Sequence, residues 1–211
     1  MSRAPHRGSA DDIGAFARHF VLSRLGSFEK DMRICLTPVP SNTRYGPTHA
    51  YFPALAACSG TIEYLTAMYR GRVDGLGWRD VSQWAQAYMP QPDYNEDTVR
   101  VLFEAFRNSV AHRGIASGIW RDLKPGPGLG RRITWKVLAN ATRPSIRVVA
   151  EDGMLKNDPP WPCKYTHRVH IHLKAMGIDI REAATRYAND VAKDHGLQNR
   201  FVSCMRTLYP Q

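Results

Sequence analysis

The feature that most constrains this 211-residue chain is a change of apolar rhythm at KPGPGLG, residues 124–130. Before this turn-rich linker, apolar side chains recur every three or four positions, as on one-faced helices. Beyond it they alternate with period two, as on strands with one packed face. The chain therefore reads as mainly α with an α+β extension: an up-and-down bundle of about four helices over 10–120, then 131–211 as a three-stranded antiparallel sheet plus C-terminal helices packed on the bundle.

In the helical block, Ile13, Phe16, Phe20 and Leu25 predict a helix from Asp12 to about Met32, and TPVPSNTRYGPTH, full of breakers, predicts a loop. Leu55, Cys58, Ile62, Leu65 and Tyr69 mark one face of a helix from Tyr51 to Arg70, stopped by Gly71. A short helix over DVSQWAQAYM ends before Pro90 and Pro92. Asn95 or Asp97 is placed to cap a further helix on which Leu102, Phe106 and Val110 lie one turn apart, with Gly114 as its stop.

In the strand block, Ile133, Trp135 and Val137 share a face, as do Ile146 and Val148. In the third strand Val169, Ile171 and Leu173 point inward, while Arg168, His170, His172 and Lys174 form a wet, basic face. Asp179 with Glu182 resembles a capping box and predicts the start of a helix running to Gly196, and Phe201, Cys204, Met205 and Leu208 mark a last one.

No apolar run is long enough for a membrane span, and MSRAPHRGSADD lacks the apolar centre of a signal peptide, so no membrane partner is expected and the cytoplasm is the expected location. Cys35, Cys58, Cys163 and Cys204 form no C-x-x-C pair and read as reduced thiols. The net charge of +10 is uneven. Residues 1–112 hold twelve basic and eleven acidic side chains, whereas 113–150 hold eight basic ones against Asp122 alone. Such a concentration is the footprint expected of a polyanion partner, most simply nucleic acid.

Just ahead of that basic stretch stands Arg107-Asn108-Ser109-Val110-Ala111-His112. On a regular helix Asn108 and His112 are four residues apart and share a face, whereas Arg107 leaves about 140° round from His112. The long Arg107 side chain can narrow that gap, or it can meet a His112 from a second copy. His112 would sit in the last turn, where exposed carbonyls favour its protonated form. A titratable imidazole moves protons, and a planar guanidinium grips a phosphate at two points. These are the two demands of metal-free RNA cleavage.

The pattern Arg-Asn-x-x-x-His resembles the signature of HEPN-domain proteins, helical bundles of which many are metal-independent endoribonucleases of toxin–antitoxin, phage-defence and CRISPR systems. The resemblance spans about residues 10–120 and leaves the sheet and final helices unexplained. It implies Arg107 and His112 as catalytic residues with Asn108 supporting, a composite site across a homodimer, and products ending in 2′,3′-cyclic phosphate and 5′-hydroxyl. Single-stranded RNA is the implied substrate, a cognate antitoxin a possible partner, and no cofactor is implied. Many HEPN-like proteins are instead non-catalytic RNA- or nucleotide-binding or dimerisation modules, and that alternative stays open here.

The expected nucleic-acid contacts are Arg113, Arg121, Lys124, Arg131, Arg132, Lys136, Arg147, Arg168, His170, His172 and Lys174. Trp135, Trp161 and Tyr165 lie among them and are candidates for stacking on unpaired bases, although Trp135 shares a face with core residues and Trp161 is the one expected to be exposed. Cys163, His167, His170 and His172 are zinc-competent types, yet His167 falls on the opposite strand face and no second paired-ligand module exists, so no metal is expected. Glu63 and Glu104 read as ordinary helix carboxylates, or as neighbours that adjust the charge of the Arg107/His112 pair.

Overall fold

A computed structural model describes residues 10–40, 49–107, 118–123, 128–155 and 161–210. The protein is mainly helical with a small mixed four-stranded sheet. Helix α1 spans Ala10–Cys35, α2 Tyr51–Arg70, α3 Trp78–Tyr88 and α4 Glu96–Val101, and a π-helical segment, Leu102–Arg107, continues α4. Strands β1 Trp120–Arg121, β2 Arg132–Leu138, β3 Ile146–Leu155 and β4 Cys163–His172 follow, then α5 Leu173–Val191 and α6 His195–Leu208.

Local chemistry accounts for several boundaries. Gly71 ends α2 in the left-handed region at φ 74°, its N–H donating to Ala67 O at 2.8 Å. A Cβ there would also meet the Arg200 backbone of α6 at 3.0 Å, so the turn and the close approach both require glycine. Asn95 caps α4 by accepting from the Thr98 N–H at 3.0 Å, and Asp194 caps α6 by accepting from the Leu197 N–H at 2.9 Å.

Helices α1, α2 and α5 pack together around Val21, Leu55, Ile62, Met68, Ala184 and Tyr187, all buried. The same core continues through Phe106 into Ile133, Ile146, Val169 and Ile171 of the sheet. One direct link is the Phe106 ring against Trp135, with centroids 4.1 Å apart at 47°. Packing of Trp135 therefore prevails over base stacking, while Trp161 stands 64% exposed.

Three sequence expectations need correction. The sheet has order β1-β2-β4-β3, with β4 inserted between β2 and β3 and parallel to β2, so it is four-stranded and mixed instead of three-stranded and antiparallel. Alternation reports which face a side chain takes, and both pairings satisfy it equally. The helix expected at Asp179 begins six residues earlier, at Leu173, and Asp179 is a buried interior residue bound by Arg143 at 2.5 Å and Tyr94 at 3.3 Å. Its spacing to Glu182 mimicked a cap. Lys174 consequently lies on α5 and not on the strand face.

The helix leading into the motif is also not regular, because a wider π register begins at Leu102 and runs to Arg107. Leu102, Phe103, Ala105 and Phe106 of this segment are all buried.

Candidate functional site

Arg107 ends the π-helical segment, and Glu63 of α2 meets it there. The guanidinium donates from Nε to Glu63 Oε2 at 2.9 Å and from Nη2 to Glu63 Oε1 at 2.5 Å, a two-point grip that sets its plane. Both side chains are mostly covered, 29% and 25% exposed. Glu63 is thus the neighbour of Arg107 that the sequence left as one of two readings. Asn108 and His112, the other two residues of the motif, lie outside the described residues, as do Arg113 and Lys124.

A second polar cluster gathers around Asp122. Asp122, with no exposed surface, accepts from Arg100 Nη2 at 2.6 Å and from Arg131 Nη2 at 3.0 Å. Asp97 accepts from Arg131 Nη1 and Nη2 at 2.8 and 2.7 Å, and Glu104 lies 3.8 Å from Arg100. Burial alone would push the Asp122 carboxyl up, but the hydrogen bonds and charges of Arg100 and Arg131 outweigh it and hold the group below its ordinary range. Arg131, expected on a nucleic-acid surface, is therefore a structural cation. Its carboxylate partners come from α4 and from the segment after β1, a proximity no local pattern encodes.

The sheet does assemble a basic row. Lys136, His170 and Arg147 are direct cross-strand partners on β2, β4 and β3, and so share one face. Lys136 and Arg147 are exposed, and among the described residues neither has an ion-pair partner. Arg168, one alternation along, is paired with Glu151 at 3.0 Å and with the Tyr165 hydroxyl, and Glu151 also lies 3.6 Å from His170 Nε2. The expected wet face is thus partly neutralised by a carboxylate one residue past the stretch counted as basic.

His172 departs further from expectation. It is buried, with Nδ1 2.5 Å from Asn140 Oδ1, and does not belong to the exposed row. Burial first, and then the charges of His170, Arg147 and Lys136, hold its imidazole below the ordinary histidine range. Lys174 is exposed at the start of α5, where it borders a groove against α1.

At the other end of the sheet, Arg121 and Arg132 face each other across β1 and β2 and line a cavity of about 750 Å³ with Trp161 and Lys164. Lys164 and Glu151 are residues the sequence reading missed, although the basic residue next to an exposed tryptophan was a usable signal for the first. Cys163, His167 and His170 do not converge with His172, and among the described residues no group of three or more His, Cys, Asp or Glu side chains is arranged to hold a metal ion. The described cysteines are all free thiols.

No protein-family model, curated protein or solved structure matches the chain. Among the described residues no helix is long and apolar enough to cross a membrane.

Proposed function

We propose that this protein is a metal-independent endoribonuclease of HEPN type, acting on single-stranded RNA as a homodimer. The observation that carries the reading is the Glu63 clamp on Arg107, which fixes the guanidinium of the motif's first residue. A cation held by a side chain from the neighbouring helix is preorganised, the condition under which it stabilises charge developing on phosphorus. In this scheme the 2′-hydroxyl loses its proton to an imidazole of the His112 pair and its oxygen attacks phosphorus. The P–O5′ bond breaks, the leaving oxygen takes up a proton, and the products carry a 2′,3′-cyclic phosphate and a 5′-hydroxyl. Arg107 stabilises the crowded phosphorane, Asn108 supports the phosphate, and Glu63 acts as a positioning residue. A HEPN-like bundle and a cognate antitoxin belong to the same proposal.

The basic row Lys136, His170 and Arg147 favours a second reading, an RNA-binding module without cleavage. The two separate when single-stranded RNA is incubated in EDTA with the wild-type chain and with His112→Ala. Cleavage by the wild type alone, with cyclic phosphate ends, supports the enzyme; intact RNA in both, despite tight binding, leaves the binding module. A gel-filtration mass of one subunit at micromolar concentration would remove the composite site.

A further inference from the structure

The cavity at the start of β2 and β4 has an unusual electrostatic make-up. Arg121 and Arg132 are direct cross-strand partners, an arrangement of like charges that opposes pairing unless something negative sits between them. Lys164, exposed on β4, lines the same cavity, and no acidic side chain does among the described residues. None of the three cations has an ion-pair partner among the described residues, in contrast to Arg131 and Arg168. Trp161 stands at the rim, 64% exposed, on a wall completed by Leu155 and Pro162. A large aromatic left open to water next to three cations with no described carboxylate partner is the combination that binds unpaired bases: the ring stacks on a base face while the cations take the flanking phosphates.

We infer that this cavity is a nucleobase seat for single-stranded RNA, with Trp161 as the stacking platform and Arg121, Arg132 and Lys164 as phosphate contacts. It deepens the RNA reading above and rests on it for the identity of the ligand, but needs no cleavage by Arg107 or His112. At about 750 Å³ it has room for a nucleotide. Its lining supplies a stacking ring and cations, so the seat binds and positions RNA instead of reacting with it.

The test is binding of a short, unstructured, 2′-O-methylated RNA strand, which resists cleavage by 2′-hydroxyl attack, followed by fluorescence anisotropy. Trp161→Ala, at an exposed position, is expected to weaken binding about tenfold or more while the circular dichroism spectrum is unchanged. With three phosphate contacts, the slope of log affinity against log salt is expected to include about −2 from this site, and Arg132→Gln to reduce it by about 0.7. Trp161→Ala binding within about twofold of the wild type would overturn the seat whether or not the protein cleaves RNA. Loss of binding in Trp161→Ala, alongside a wild type that leaves unmodified RNA intact, would keep the seat and sink the ribonuclease. Competition by a mononucleotide as strong as that by the strand would replace RNA with a free nucleotide and overturn the assignment.

Discussion

Glu63 on α2 holds Arg107 through both carboxylate oxygens, at 2.9 and 2.5 Å, so two helices far apart in sequence jointly orient the first residue of the Arg-Asn-x-x-x-His motif. Glu63→Gln keeps the shape but loses the charge and one accepting oxygen. On the proposed function, RNA cleavage is expected to fall about 10²-fold, mostly in kcat, since displacement of a catalytic group by about 1 Å has that effect. Arg107→Lys is expected to lose activity to a similar extent, because an ammonium cannot reproduce the planar two-point geometry. Single-turnover cleavage of a labelled RNA measures both; a Glu63→Gln enzyme with full kcat would show the clamp to be structural only.

Asp122 is the buried centre of the Arg100/Arg131 cluster, and its carboxyl is held below the ordinary range. A group with a depressed folded value stabilises the fold above its unfolded pKa of about 3.9 and loses that contribution as pH falls through the folded value. Thermal unfolding between about pH 2 and 6 should show this acid-side loss, and Asp122→Asn should flatten it. Asp122→Ala removes the shared centre but leaves Arg131 on Asp97 and Arg100 beside Asp97 and Glu104, so it is expected to lower the urea midpoint at neutral pH and to cost less than removing the sole partner of a buried charge.

His172 offers a second pH dependence with a different window. A buried imidazole whose folded value lies below the unfolded value of about 6.5 supports the fold above that pH, and the support is lost as pH falls toward the folded value. Arg147→Gln removes one of the positive neighbours that depress it. The His172 ring resonance followed by NMR should titrate below a free histidine in the wild type and move upward in Arg147→Gln.

Phe106, fully buried, joins the π-helical segment to Trp135 of β2. Phe106→Ala is expected to destabilise the protein by about 3–5 kcal/mol, read by urea unfolding. Because the ring also sits one residue before Arg107, the proposed function adds that RNA cleavage by this variant should fall even under conditions where it remains folded.

The helical block was legible wherever a local signal carried the boundary: the Tyr51–Arg70 span with Gly71 as its stop, a cap at one of two candidates that proved to be Asn95, and Leu102 and Phe106 on one buried face. Periodicity also identified Ile133, Val169 and Ile171 as inward-facing in the strand block. It misplaced the start of α5 because Asp179 and Glu182 carry a cap's residue types at a cap's spacing inside a helix. The candidate site was legible as residue types and charge balance, not as partners. Arg131 and Arg168 read as surface cations, although their carboxylates stood in plain view at Asp97, Asp122 and Glu151.

What the sequence by itself determined is local: most of the helix and strand spans, where glycine and asparagine punctuate them, and that the middle of the chain carries surplus positive charge. These follow from backbone geometry and side-chain chemistry within a few residues, and need no knowledge of what lies across the fold. Only the tertiary structure decided that β4 inserts between β2 and β3, that Glu63 is the partner of Arg107, and which cations around Trp161 lack a carboxylate partner among the described residues. Strand order and ion pairing depend on distances between residues remote in sequence, and charge is neutralised by whatever the fold brings within a few ångströms.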